Sequence, residues 1–334
     1  MRVKSFSIFL FLLIIFSCND SESEYGRDFE EIDRLITEMV SQGQELSDAL
    51  DTIAHQYIDH INRYDSLRET ADFSKYTFTR AYSTNLPGED SALSSVMILN
   101  TTPDRDRALE EAAATNFLDS LFSRFQKSFP LVVQVYSNSA NQVSRVYPAF
   151  DHKNIVEPNL DVKDFNFYYA ADEINNPSKG IVWIQDAYID PAGKGWILSL
   201  IHPVYQGEKL FAVLGADFTV DDFIYEYFDR YPGDYLLVNG KGDIIGGEDG
   251  AIELLSMPAL KNHVYRETVK SESFRISDFN LFNSKSLEVR KMAQEFLLNK
   301  KDRFEFEEEK GINKAICKMV PGIDWYLIQI FPEQ

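Results

Sequence analysis

The stretch GWILSLIHPVYQGEKLFAVLGADF, residues 195–218, decides the architecture. Gly195–Tyr205 and Lys209–Phe218 are runs rich in β-branched, aliphatic and aromatic residues, parted by a break at Gly207. Such side chains pack well on a pleated surface, and a short glycine-containing break lets the chain reverse, so the stretch predicts a pair of antiparallel strands. Upstream, Leu131–Tyr136, Arg145–Ala149 and Gly180–Tyr188 have the same texture between Asn, Pro and Gly turns, which extends the pair into an antiparallel sheet built from hairpins.

Toward the C-terminus, Val220–Tyr231 reads as a helix, and Pro232-Gly233 forms a natural boundary. A second sheet is expected after it. Tyr235–Val238 and Asp243–Ile245 flank the tight turn Asn239-Gly240-Lys241-Gly242. Residues 286–299 read as helix, and Arg303–Glu308, Asn313–Val320 and Trp325–Phe331 as three more strands. Toward the N-terminus, Pro103 to Phe129 predicts one helix with Leu109, Phe117, Leu121 and Phe125 on its apolar face. Before it, Ile36, Met39, Gly43, Leu46, Leu50, Ile53, Tyr57, His60 and Tyr64 fall on a three-four spacing, the mark of a long amphipathic helix. That seam has two possible uses: packing on its own domain, or pairing with a homodimer copy or a membrane signalling partner. His55 and His60 on this helix stand about 140° apart around its axis, so they share no face and no metal is expected there.

The first 17 residues carry Arg2 and Lys4, an apolar run from Phe6 to Phe16, and Ser17 directly before Cys18. A run of that length suits a signal peptide, whereas a span needs roughly 20 apolar residues. Ile15-Phe16-Ser17-Cys18 resembles a bacterial lipobox, which implies lipidation of Cys18 and a lipid anchor in the cell envelope, on the periplasmic face or at the cell surface. The polar, acidic segment 18–26 then suits a flexible tether. With no further transmembrane segment in view, the membrane is expected to be met only through that lipid. Cys317 is the second of two cysteines and has no partner once Cys18 is acylated, so stability must come from the core.

A formal net charge of −20 repels polyanions, and no cluster of Lys and Arg offers phosphate contacts, which excludes nucleic acid as a partner. There is no Gly-x-Ser-x-Gly elbow, His-Glu-x-x-His helix or Ser-x-x-Lys pair. No enzyme activity, metal or cofactor is expected. The acidic run Glu305–Glu309 alternates with Phe306 and reads as a solvated face, and Gly246-Gly247 as a turn.

One ordered set of motifs adds to this. Arg145-Val146-Tyr147-Pro148 is followed by Asp164-Phe165-Asn166-Phe167-Tyr168-Tyr169-Ala170-Ala171, then Trp183, Asp186-Ala187-Tyr188-Ile189-Asp190, Ile201-His202-Pro203-Val204 and Gly215-Ala216-Asp217-Phe218. In order and spacing the set resembles the double Cache sensor domains of bacterial receptors. The resemblance implies an α+β fold, a long N-terminal helix followed by two PAS-like antiparallel-sheet units. It divides the chain into a signal peptide (1–17), a lipid tether (18–26), the long helix (27–70), a membrane-distal unit with the ligand pocket (71–231) and a membrane-proximal unit (232–334). It implies ligand contacts from Phe165, Phe167, Tyr168, Trp183, Tyr188, Asp190 and Asp217. In the amino-acid-binding branch an Arg grips the ligand carboxylate where this chain has Phe165, so an amine or another small molecule without a carboxylate is expected instead. A structural envelope lipoprotein with an empty pocket is the alternative. Strand aromatics are often core, and Asp217 before Thr219 is placed to cap the next helix.

Overall fold

The computed structural model describes residues 18–69, 73, 77–78, 83–84, 92–257, 279–307 and 311–333. The signal segment 1–17 and Glu308 and Glu309 of the acidic run lie outside them. In chain order the elements begin with α1 (Cys18–Ile61), α2 (Tyr64–Glu69) and the short pair β1 (Thr77–Phe78) and β2 (Ser83–Thr84). The first unit continues with β3 (Ser95–Ile98), α3 (Arg105–Ala114), α4 (Leu118–Ser128), β4 (Gln134–Ser139), β5 (Val143–Tyr147), α5 (His152–Ile155) and α6 (Asn166–Tyr169). It ends with β6 (Val182–Trp183), β7 (Tyr188–Ile189), β8 (Trp196–Gln206), β9 (Lys209–Thr219) and α7 (Val220–Tyr227). The second comprises β10 (Asp234–Asn239), β11 (Ile244–Gly247), α8 (Asp249–Leu254), α9 (Leu287–Ala293), β12 (Arg303–Glu305), β13 (Ile312–Val320) and β14 (Trp325–Pro332).

The pair predicted from residues 195–218 is the spine of the larger sheet. β8 and β9 pair antiparallel around Gly207, which takes a left-handed φ of 62°. The sheet runs β3-β5-β4-β9-β8-β6, with β7 also on β8. The second sheet runs β11-β10-β14-β13-β12. These orders are copies. In each, an opening hairpin (β4-β5, β10-β11) lies beside the last strand (β9, β14), and that strand's own hairpin partner (β8, β13) leads to the short edge strands. The turn at Asn239–Gly242 closes as expected, with Gly242 N–H donating to Asn239 O over 2.9 Å.

Helix α1 has 44 residues, about 66 Å at 1.5 Å per residue, long enough to cross both sheets. Ile32, Leu35, Ile36 and Met39 pack on Tyr235, Leu237 and Leu327 of the second sheet. Leu46, Leu50, Ile53, Ala54 and Tyr57 pack on Val135, Leu200, Leu214 and Ala216 of the first. Each fully buried Leu or Ile is worth about 1.5–3 kcal/mol of transfer free energy, so the helix is clamped along its length. Asp28 and Asp33 accept ion pairs from Lys314 and Lys318 of β13 at 2.8 and 2.9 Å. His202 of β8 meets Asp51 at 2.9 Å.

Several expectations change, among them Gly246-Gly247, read as a turn but paired in β11 with Leu237 and Leu236. Residues 18–26, read as a flexible tether, continue α1 as helix. The seam offered to a dimer or signalling partner is taken by the chain's own sheets, since Leu46, Leu50, Ile53 and Tyr57 are all buried there. The single helix 103–129 is two. Asp104 caps the first by accepting from Arg107 N–H at 3.0 Å, but the buried guanidinium of Arg145 donates to Ala112 O at 2.7 Å and pairs with Asp119 at 2.7 Å. Because Arg145 takes up a carbonyl of the last turn of α3, the chain restarts as α4 at Leu118. Strand β3 was not among the predicted elements, and Gly180–Tyr188 holds two short strands rather than one.

Candidate functional site

Alternation along β4 sends Val135 toward α1 and Gln134, Tyr136 and Asn138 to the opposite face. Polar groups on a buried strand face must find partners or a ligand. Here they line a cavity of about 60 Å³ with Phe167, Tyr188, Asp190 and Asp217, closed by apolar side chains that include Met97, Phe150 and Val162. Gln134, Asp217 and Ser199 stand in one row across β4, β9 and β8. Gln134 Nε2 donates to Asp217 Oδ2 at 2.6 Å, Ser199 Oγ donates to Asp217 Oδ1 at 2.5 Å, and the Tyr188 hydroxyl meets Ser199 Oγ at 2.7 Å. Asp190 is held from its own loop by the N–H groups of Ala192 and Lys194 at 2.9 and 3.1 Å.

Gly215 explains how Tyr136 lies over this row. A Cβ at residue 215 would sit 2.0 Å from Tyr136 Cζ, so only glycine leaves room for the ring across β9. The hydroxyl of Tyr136 lies beside those of Tyr188 and Ser199 and the carboxyl of Asp217, and Gln134 Oε1 is buried without a partner. Asp217 is 1% exposed. Burial, and then the charge of Asp190, push its pKa up to about 8; burial raises that of Asp190 as well. Among the described residues, no Lys, Arg or His lines the cavity. Two buried carboxyl groups, an orphan amide oxygen and a phenol therefore face a small volume walled by aromatic rings.

The same topological face of the second sheet is built differently. Leu236 and Val238 of β10 and Ile328 and Ile330 of β14 stand there, packed by Val289, Met292 and Phe296. That face is closed as core.

One long helix crosses two sheets of related strand order, the arrangement that the resemblance of the motifs to double Cache domains implies. No family model matches the chain, and no curated protein matches it. Solved structures do. The ligand-binding domain of the Pseudomonas fluorescens chemoreceptor CtaA in complex with L-alanine is 15% identical, with 90% of this chain and 98% of that chain covered and a TM-score of 0.42. The same domain with L-leucine is 14% identical, covering 90% and 96%, at 0.43. The ligand-binding domain of the Pseudomonas aeruginosa amino acid chemoreceptor PctC with GABA is 15% identical, covering 70% and 84%, at 0.37.

Of the seven residues expected to touch a ligand, Phe167, Tyr188, Asp190 and Asp217 line the cavity. Phe165 stacks behind Phe167, ring centres 5.1 Å apart, and Tyr168 is buried in the surrounding cluster. Trp183 is on the wrong side. It pairs with Leu200, whose side chain faces α1, while its neighbour Val182 pairs with Ile201 on the cavity face. Its ring stacks on Phe218 at 5.9 Å instead. Gln134, Tyr136 and Ser199 were missed, although the alternation of Gln134, Tyr136 and Asn138 in a stretch otherwise read as buried strand was a usable signal.

Proposed function

We propose that this chain is a lipid-anchored, extracytoplasmic binding protein of sensor type, whose first sheet unit holds a small amine. The carrying observation is the pair of buried carboxylates, Asp217 and Asp190, in a cavity without a basic side chain. Desolvated acids of this kind are stabilised by a cation that replaces the missing charge, and each charge-assisted hydrogen bond is worth about 1.5–3 kcal/mol. Gln134 Oε1 offers one more acceptor to an ammonium, and the Phe167 and Tyr188 rings offer faces to its methylene groups. With Phe165 where the amino-acid-binding branch has Arg, no guanidinium meets a carboxylate. The chemoreceptor domains named above were solved with amino acids or GABA; a primary amine or diamine of a few heavy atoms suits this cavity better.

Calorimetric titration of the mature chain with short amines, the matching alcohols and amino acids tests the reading. Saturable heat for amines that is lost in Asp217→Asn supports it. No heat from any of them, with an intact fold, leaves the empty-pocket lipoprotein. The anchor is tested separately: Cys18→Ala should abolish incorporation of a labelled fatty acid and release the protein from the membrane fraction.

A further inference from the structure

A second and much larger concavity lies on the other side of the first sheet, where α1 passes from one unit to the other. It encloses about 890 Å³, within the range of sites that take drug-sized ligands. It opens where α1 carries Gln42-Gly43-Gln44 and has no side chain to project at Gly43, whose Cβ would lie 3.6 Å from Trp183 Cζ2. The walls come from both units: Phe129, Trp183, Phe218, Phe223, Tyr225 and Trp325. Trp183 stands between the other two large rings, stacked on Phe218 at 5.9 Å and edge-on to Trp325 at 6.3 Å. Tyr227 fixes the helix side by donating to Gln42 Oε1 at 2.7 Å. At the mouth Tyr225 remains 71% exposed.

The polar lining has one sign. Among the described residues, Glu45, Asp222 and Glu226 are its charged ones, and no Lys, Arg or His belongs to it. Glu226 is paired with Arg230 at 3.0 Å, while Glu45 is exposed to solvent on the rim. Aromatic faces carry negative potential, and carboxylates at the rim add to it. An anion is repelled here. We propose that this inter-unit cleft is a second ligand site, selective for a hydrophobic organic cation such as an aromatic or alkylated ammonium ion. Asp217 and Phe218 are consecutive on β9 and face opposite ways, so the site stands apart from the amine cavity and does not depend on it.

Two of the three tryptophans of the chain, Trp183 and Trp325, line the cleft, which makes intrinsic fluorescence a direct readout. The full chain is titrated with N-methylquinolinium, a flat monocation, and with its uncharged isostere 1-methylnaphthalene. Saturable quenching by the cation at a concentration at least tenfold below that needed for the isostere is expected. Gly43→Phe, which fills the cleft, should abolish it; Glu45→Gln and Tyr225→Ala, both at exposed positions, should each weaken it about threefold to tenfold. Asp217→Asn should leave it unchanged. Equal binding of the isostere, absence of saturable quenching, or quenching that persists in both Gly43→Phe and Tyr225→Ala would overturn the assignment.

Discussion

Asp217 is the residue on which most depends. Burial makes it hold its proton more tightly when folded than when unfolded, and the same is true of Glu111, buried on α3 and raised to about 7. For an acid with a raised folded pKa, the stabilising contribution is fully present below the ordinary carboxylate range and is lost as pH rises toward the folded value. The ligand-free protein should therefore melt lower at pH 8 than at pH 5, and Asp217→Asn should remove part of that slope; thermal denaturation across this range checks both. Binding has the opposite dependence. An ammonium that pairs with ionised Asp217 expels its proton, so amine affinity should rise up to about tenfold per pH unit between pH 6 and 8, with proton release visible as a heat that changes with buffer. Replacing the carboxylate with an amide should weaken the amine about ten- to a hundredfold. Asp190 and Asp217 stood out in the sequence as the ends of the Tyr-x-Asp and Gly-x-Asp motifs that carry the family resemblance. Gln134 and Tyr136 offered only their alternation and Ser199 no signal, since what they do comes from cross-strand partners on β9 that lie 83, 79 and 18 residues away in the chain.

At the scale of elements, β9 turns Gly215 and Asp217 toward the cavity and packs Leu214, Ala216 and Phe218 on the other face. Gly215→Ala places a Cβ within the Tyr136 ring, an overpacking that typically costs about 1–3 kcal/mol. In a Tyr136→Ala background the same change should cost almost nothing, so chemical denaturation of the four-member cycle should give a coupling close to the whole penalty; additive effects would contradict the packing described. The long strands and α1 were readable from composition and spacing because burial on one face imposes a period that the residues display. The break between α3 and α4 was not, because it depends on Arg145, a residue of β5 that enters the turn only once the sheet has formed. The same holds for Trp183. Its aromatic character was evident, but the face it occupies follows from its register opposite Leu200, which two-residue β6 is too short to reveal by alternation.

For the whole molecule, the decisive feature is that one helix supplies core to both sheets. The segment between β6 and β7 adds a second bridge: Trp325 Nε1 donates to Gln185 O at 2.7 Å, and Asn239 Nδ2 donates to Asp186 Oδ1 at 2.6 Å. Five residues after Gln185 comes Asp190 of the small cavity, so the cavity wall is continuous with the contact to the second unit. Two sheets tied in this way should not unfold separately. Far-ultraviolet circular dichroism, which reports both sheets, and tryptophan fluorescence, which reports the junction, should give one coincident transition. A saturating amine at 100 times its dissociation constant should stabilise the molecule by about 2.7 kcal/mol. For independent units only the first would gain that stability, and its transition would move away from the second. The linkage through α1 requires the single transition to move as a whole. Leu35→Ala, which opens a cavity against the second sheet and costs about 2–5 kcal/mol, should lower the same transition. Two separable transitions, with Leu35→Ala moving one and the amine the other, would show that the helix joins the units in space without joining their stabilities.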